Sequence, residues 1–309
     1  MKSSSKSLVD VARRSIILAT VILLALVIVF SGGASSGWSV LTAQNRLRVA
    51  TTTSLYDTGL WGYLEPMFEE KYDVEVDVIS VGSGIAFDWG KRGDVDVITI
   101  HSKAKELQFI DQGYGVERFI FAYNHFIIVG PADDPVGIKD LAPEAAFQKI
   151  LETGTTKFVT RGDDSGTHVK EQAIWKAAGY DYANDIETAS WYVDASGGMG
   201  QTLEMASELN AYTLSDIGTF LAYQSGLNLA SLVEGGAIML NVYSVIAINR
   251  DKVLPNELAE TKAWKVEAAN NMVTFLTSPE IQTLIGEYGV KDYGQPLFIP
   301  CAGQTEPTE

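Results

Sequence analysis

The 309-residue chain is poor in the residues from which covalent, metal and hydrolytic centres are built. It has one cysteine, Cys301, which excludes an internal disulfide framework and a multi-thiolate metal site. It has three histidines, His101, His125 and His168, with no pair at ligand spacing, so no metal is expected beyond that of a bound oxyanion. No Gly-x-Ser-x-Gly stands in the strand-turn-helix setting of a nucleophile elbow. Gly82-Ser83-Gly84 lacks the lysine and the length of a phosphate loop. Positive charge is also short. The 23 Lys and Arg face 39 Asp and Glu, a formal net charge of −16, which argues against nucleic acid or an anionic membrane surface as a partner.

Apolar residues are plentiful at 46%, enough for a large core arranged as two lobes. Lys2, Lys6, Arg13 and Arg14 precede an uncharged run from Ser15 to Phe30, followed by small residues with Gly32 and Ala34 at cleavage spacing. Residues 1–34 therefore read as a signal peptide or N-terminal membrane anchor, with no cysteine for lipid attachment. The expected location is periplasmic, or the extracellular face of the cytoplasmic membrane. Export argues against cytoplasmic cofactors, and no cofactor is expected.

Downstream, strand-like runs alternate with helical patterns. Leu47–Ala50, Val74–Val81, Asp94–Ile100 and Phe126–Pro131 read as strands. A helix is expected to start at Ser54, with Leu60, Trp61, Leu64, Met67 and Phe68 on its buried face. A second series begins near Pro131, and Val242–Ile248 reads as a long strand returning to the first lobe. The expected organisation is lobe I at 45–130 plus 245–309 and lobe II at 131–244. The fold class is α/β, two lobes with central, mostly parallel sheets. Trp61, Trp89, Trp175, Trp191 and Trp264 read as core or rim packing.

Arg161-Gly-Asp-Asp-Ser-Gly-Thr-His168 is the most informative stretch. It follows the apolar strand-like run Lys157-Phe-Val-Thr160 and opens a helical pattern with Val169, Ala173, Ile174 and Ala177 on one face. A strand turning into a helix leaves free backbone N–H groups and partial positive charge, which favour an anion. Arg161 adds five donors and a permanent charge. The plainer reading is a capped helix start, with Asp164 or Ser165 as N-cap. Similar turns at Thr51–Ser54, Gly82–Gly84 and Ser196–Gly198 favour the anion reading, because ligands of such sheets sit beyond the carboxyl ends of strands. Arg161-Gly-Asp163, the adhesion tripeptide, is coincidental in this setting.

From Leu47 to Pro300 the chain resembles the tungstate-binding component of bacterial and archaeal ABC importers. Thr51-Thr-Thr-Ser54, Asn124–Pro135, Arg161–His168, Gly197-Gly-Met-Gly200, Ala211–Asp216 and Tyr243–Ile248 carry the resemblance. It implies a type II periplasmic-binding-protein clamshell closing on the ligand in the inter-lobe cleft. The partners implied are a membrane permease with its cytoplasmic ATPase, and the protein is expected to be a monomer rather than an enzyme.

By position, the resemblance makes Thr52, Thr53, Ser54 and Ser83 donors from lobe I. Arg161, Ser165, Gly166 and Thr167 serve from lobe II, with Ser196 and Gly197 as further candidates. Tungstate and molybdate are dianions that only accept hydrogen bonds, so a donor-only site suits them and disfavours hydrogen phosphate. Asp163 and Asp164 then face away from the ligand, capping the helix or orienting Arg161. The same fold tuned to molybdate or another tetrahedral oxyanion stays open, as does an exported phosphate- or sulfate-ester hydrolase.

Overall fold

The computed structural model describes residues 46–308, so the reading of residues 1–34 as a leader lies outside the described residues. In chain order the main elements are β1 (Arg46–Thr52), α1 (Thr53–Asp57), α2 (Leu60–Tyr72), β2 (Glu75–Val81), α3 (Ser83–Arg92), β3 (Val97–Ile100) and α4 (Lys103–Asp111). Then follow β4 (Gly115–Pro131), α5 (Pro143–Thr153), β5 (Phe158–Thr160), α6 (Gly166–Ala177), β6 (Tyr192–Asp194), α7 (Met199–Glu208) and β7 (Tyr212–Asp216). The last are α8 (Ile217–Tyr223), β8 (Leu229–Glu234), β9 (Leu240–Ile248), α9 (Arg250–Val253), α10 (Ala259–Thr277), α11 (Pro279–Glu287), α12 (Val290–Tyr293) and β10 (Ile299–Pro300).

The strands run in the order β2-β1-β3-β9-β4-β7-β5-β6, with β8 and β10 also pairing β4. On each wing the pairing is parallel: β2 with β1 and β1 with β3 on one side, β7 with β5 and β5 with β6 on the other. The centre is antiparallel, through β3–β9, β9–β4 and β4–β7. Strand β4 runs for 17 residues and serves both wings. Its first part pairs β9 up to His125, and Phe126 to Val129 pair β7. The sequence showed only the apolar second half, because charged Glu117 and Arg118 and polar Tyr123 and Asn124 interrupt the first.

Alternation along the strands explains why helices cover both faces of each sheet. In β9, Val245 and Ala247 join a core with Leu64, Phe68, Met272 and Phe275, while Ile246 and Ile248 join Phe87 and Phe109 on the opposite face. In β4, Phe126 and Ile128 pack with Phe147, Phe158 and Trp175, while Ile127 and Val129 pack with Met199 and Leu203.

Two helix readings are corrected. The first helix is capped by Thr52, whose hydroxyl accepts the Leu55 N–H at 3.3 Å, and it ends at Asp57 rather than continuing from Ser54. Gly59 at φ 78° restarts the chain as α2, and a Cβ there would lie 2.8 Å from the Tyr288 hydroxyl. In α6 the buried residues are Thr167, His168, Glu171, Ile174 and Trp175, whereas Ala173 and Ala177 are exposed. A buried glutamate displaced the expected face. Ser278 caps α11 with Pro279 as its first residue.

Candidate functional site

Each parallel wing delivers two strand ends into helix starts. β1 leads into α1 through Thr52, β2 into α3 through Gly82, β5 into α6 through Arg161–Ser165, and β6 into α7 through Ala195–Gly198. These turns meet. Thr53 Oγ1 accepts a hydrogen bond from Arg161 NH2 at 2.9 Å. A Cβ on Gly198 would lie 3.6 Å from Thr53, and one on Gly82 would lie 3.8 Å from the Asp163 carbonyl. Neither Gly82 nor Gly198 supplies a side-chain cap, so the first N–H groups of α3 and α7 lack that local partner.

Arg161 is 2% exposed. Its NH2 group also donates to Asp163 Oδ2, and its Nε donates to the Gly197 carbonyl at 3.3 Å. The remaining nitrogen, NH1, is buried without a partner. Among the described residues, seven buried side-chain polar atoms lack a partner, and three lie on these turns: Ser83 Oγ, Arg161 NH1 and Thr167 Oγ1. Leaving buried donors unpaired costs about 1–3 kcal/mol each, and more for a charged group. All three belong to the converging turns and helix starts, which leaves donors there without an acceptor.

The carboxylates nearby are occupied or remote. Asp163 accepts the Ser165 N–H at 3.1 Å as well as the Arg161 guanidinium, so it orients the arginine. Asp164 is exposed in the left-handed region, with φ 54°, and its N–H donates to His168 Nδ1. Asp57 accepts the Gly200 N–H at the start of α7; burial raises its pKa, opposed by that bond and by Arg161. Asp216 caps α8 through Thr219, and burial raises its pKa too. Among the described residues no group of three or more His, Cys, Asp or Glu is placed to hold a metal ion. A cavity of about 430 Å³ between His101, Gly166, Lys170 and Asn241 lies behind the turns; Arg161, Ser83 and Thr167 are not among its walls.

A family model described as a PBP superfamily domain matches residues 39–280. The tungstate-binding protein TupA of Peptoclostridium acidaminophilum is 42% identical over 265 residues, covering 85% of this chain and 88% of that protein. This chain belongs to the TupA family of the PBP superfamily. Two solved structures agree. TupA from Desulfovibrio alaskensis G20 is 37% identical with TM-score 0.68, covering 83% of this chain and 99% of that one. The tungstate ABC transporter protein of Geobacter sulfurreducens is 40% identical with TM-score 0.69, covering 80% of this chain and all of that one. The family's architecture is the two-lobe binding-protein fold, and its named members are binding proteins rather than enzymes.

The residues carried over by resemblance divide into two groups. Thr53, Ser83, Arg161 and Thr167 have donors at the convergence of the turns, and Gly166 opens α6 beside them. Other side chains are already engaged. Thr52 Oγ1 and Ser165 Oγ are N-caps, the latter accepting the His168 N–H at 3.2 Å. Ser54 Oγ lies 3.2 Å from Thr52 Oγ1 and 3.1 Å from His101 Nε2. Ser196 is exposed with its N–H donating to Asp194, and Gly197 presents a carbonyl to Arg161.

Three supporting residues escaped the sequence reading. Glu171 is fully buried and accepts from Thr160, Trp175 and the Tyr192 hydroxyl, and burial pushes its carboxyl up to about 7. Only its i,i+4 spacing to Trp175 could have signalled it. Asn241 lies at the start of β9. His101 packs on Tyr243 and beneath Gly166, where a Cβ would lie 2.7 Å from its ring. The Ser54–His101 contact resembles a hydrolase dyad. Burial, then the Arg161 charge, lowers the imidazole to about 3, so it is a poor general base near neutral pH.

Proposed function

We propose that this protein captures tungstate where the four turns converge and delivers it to the membrane permease of an ABC importer, energised by a cytoplasmic ATPase. It would act as a monomer outside the cytoplasm, either periplasmic or on the extracellular face of the membrane. The observation that carries this reading is Arg161 NH1, a buried charged donor left without a partner beside Ser83 and Thr167, whose hydroxyls are also unpartnered. Thr53, Ser83, Arg161 and Thr167, with the backbone N–H groups of the helix starts, would contact the oxyanion. The similarity to TupA proteins identifies which oxyanion to try first.

The chemistry supports a fully deprotonated ligand. Tungstate accepts hydrogen bonds at every oxygen, whereas hydrogen phosphate also needs an acceptor, and both oxygens of the carboxylate closest to Arg161 are already engaged by the protein. Hydrogen bonds with a charged partner contribute roughly 1.5–3 kcal/mol each. About six of them reach the −12 kcal/mol or so of nanomolar binding after the cost of ordering the site. Calorimetric titration should show one oxyanion per chain, tungstate tightest and sulfate and phosphate much weaker. Flat titrations with every oxyanion would sink the proposal, while equal affinity for molybdate would remove only the selectivity.

A further inference from the structure

His168 is buried in the first turn of α6, and the backbone decides which of its ring nitrogens is bare. The Asp164 N–H lies 3.1 Å from Nδ1. A backbone N–H can only donate, so Nδ1 presents its lone pair and carries no proton. The neutral imidazole then has its proton on Nε2, which lies 2.9 Å from the Tyr182 hydroxyl on the connection between α6 and β6. The Gln172 amide nitrogen stands 3.1 Å from the same Nε2. Two donors cannot bond each other, but a half turn of the amide presents its oxygen instead. No half turn reverses the backbone N–H, so the Asp164 contact fixes the tautomer.

The ring closes a turn whose donors are sorted. The N–H groups of Ser165, Gly166, Thr167 and His168 open α6, where no helix carbonyl reaches them. That of Ser165 goes to Asp163 Oδ1 at 3.1 Å, and that of His168 to Ser165 Oγ at 3.2 Å. Gly166 and Thr167 keep theirs for a ligand, on the stretch that also carries the unpartnered Thr167 hydroxyl. Asp164 is the joint under load. It is exposed and sits at φ 54°, in the left-handed region that residues with a Cβ disfavour. Its N–H is held by His168, and its carbonyl accepts from Lys105 Nζ of α4, on the other wing, at 3.3 Å. The residue before it, Asp163, is the carboxylate that orients Arg161.

We propose that His168 is a positioning residue of the anion turn. Its bare Nδ1 fastens the Asp164 N–H, and so holds Arg161 and the N–H groups of Gly166 and Thr167 in the arrangement that receives the oxyanion. This rests on the oxyanion reading of the site and deepens it, since affinity is then set partly by a side chain that never touches the ligand. Without an acceptor at Nδ1, Asp164 is free to leave its left-handed conformation, and Asp163 and Arg161 shift with it. The site then pays on binding for an order that the native turn already has.

The test has two readouts. Asparagine places its amide oxygen close to where Nδ1 lies, whereas glutamine places its amide close to Nε2. In tungstate titrations His168→Asn should stay within about threefold of wild type, while His168→Gln and His168→Ala should each lose about tenfold or more. Equal affinities in the three variants, or tighter binding by the glutamine variant than by the asparagine one, overturn the proposal. In the ligand-free protein, ¹⁵N NMR should show Nδ1 bare and coupled across the hydrogen bond to the Asp164 amide nitrogen. A proton on Nδ1 also overturns it. The NMR readout needs no ligand. A wild-type protein that keeps this coupling and ignores tungstate would defeat the transport reading, while one that binds tungstate without the coupling would defeat the role of His168 alone.

Discussion

Arg161 NH2 donates to Thr53 Oγ1 at 2.9 Å, joining the main cation of one wing to the first helix start of the other. The bond has a direction. Because the guanidinium can only donate, the threonine oxygen is the acceptor and keeps its own proton free to turn toward an anion. Donation from a cation also polarises that hydroxyl, making it the better donor. In the proposed function Arg161 would thus act both on the oxyanion and through its neighbour.

Arg161→Glu should abolish tungstate binding, since it reverses the charge at the centre of the turns. Arg161→Lys keeps the charge but loses the planar fork that spans Thr53, Asp163 and Gly197. Isothermal titration should rank wild type far above the lysine variant, and the lysine variant above the glutamate. Retained binding in Arg161→Glu would show that the anion sits elsewhere.

Thr53→Val removes the hydroxyl while keeping the shape of the side chain. It leaves Asp163 as the remaining assigned partner of Arg161 NH2. Tungstate affinity should fall by about tenfold or more, by loss of one charge-assisted bond. An unchanged dissociation constant would mean that the Arg161–Thr53 contact serves only to hold the wings together.

Glu171 should make stability fall as pH rises. Its folded pKa of about 7 lies above the ordinary 4.5, so the folded protein holds a proton that the unfolded chain releases. Its contribution is complete below about pH 4.5 and is lost as pH climbs through about 7, a change of roughly 3 kcal/mol. The lowered pKa of His101 acts oppositely, removing stability as pH falls from about 6.5, and this is common to wild type and variant. Urea unfolding of wild type and Glu171→Gln should therefore give a stability difference that shifts steadily against wild type from about pH 5 to about pH 8. A constant difference would show that Glu171 is ionised throughout.

Gly162 and Gly113 both have positive φ, 62° and 77°, but only one is crowded. A Cβ on Gly162 would lie 1.9 Å from Asp194 Oδ1, whereas nothing lies within 4 Å at Gly113. Gly113→Ala should cost about 1–2 kcal/mol, the backbone term alone. Gly162→Ala should cost clearly more and should also weaken tungstate binding by shifting the Arg161 turn. Equal destabilisation in chemical unfolding would mean that Asp194 moves aside freely.

The sequence made the four turns legible because glycine, serine and threonine cluster at those strand ends, and because the family pattern covers nearly the whole chain. The Asp163–Arg161 contact is one of the two roles, helix cap or arginine orientation, expected of that carboxylate. What stayed hidden depends on contacts distant in sequence. Ser54 and Ser83 look equivalent as text, yet one hydroxyl meets His101 from β3's far end and the other meets no partner. Glu171 was not singled out because an acid in a helix ordinarily faces water, and only the convergence of Thr160, Trp175 and Tyr192 makes burial tolerable. The first half of β4 was missed because its alternation mixes charge with aromatic residues at the centre of the sheet.

Strand β4 and the start of β9 cross between the wings side by side, joined by the pairings Asn124–Asn241 and His125–Leu240. A two-stranded ribbon bends easily across its face but resists sliding, because sliding would break the hydrogen-bonded ladder that joins the two strands. Any swing of one wing against the other is thereby confined to something close to a single arc. The mechanical gain would be repeatability: were the wings to part, that arc would bring Arg161 back to the same threonine without a separate device to guide it home.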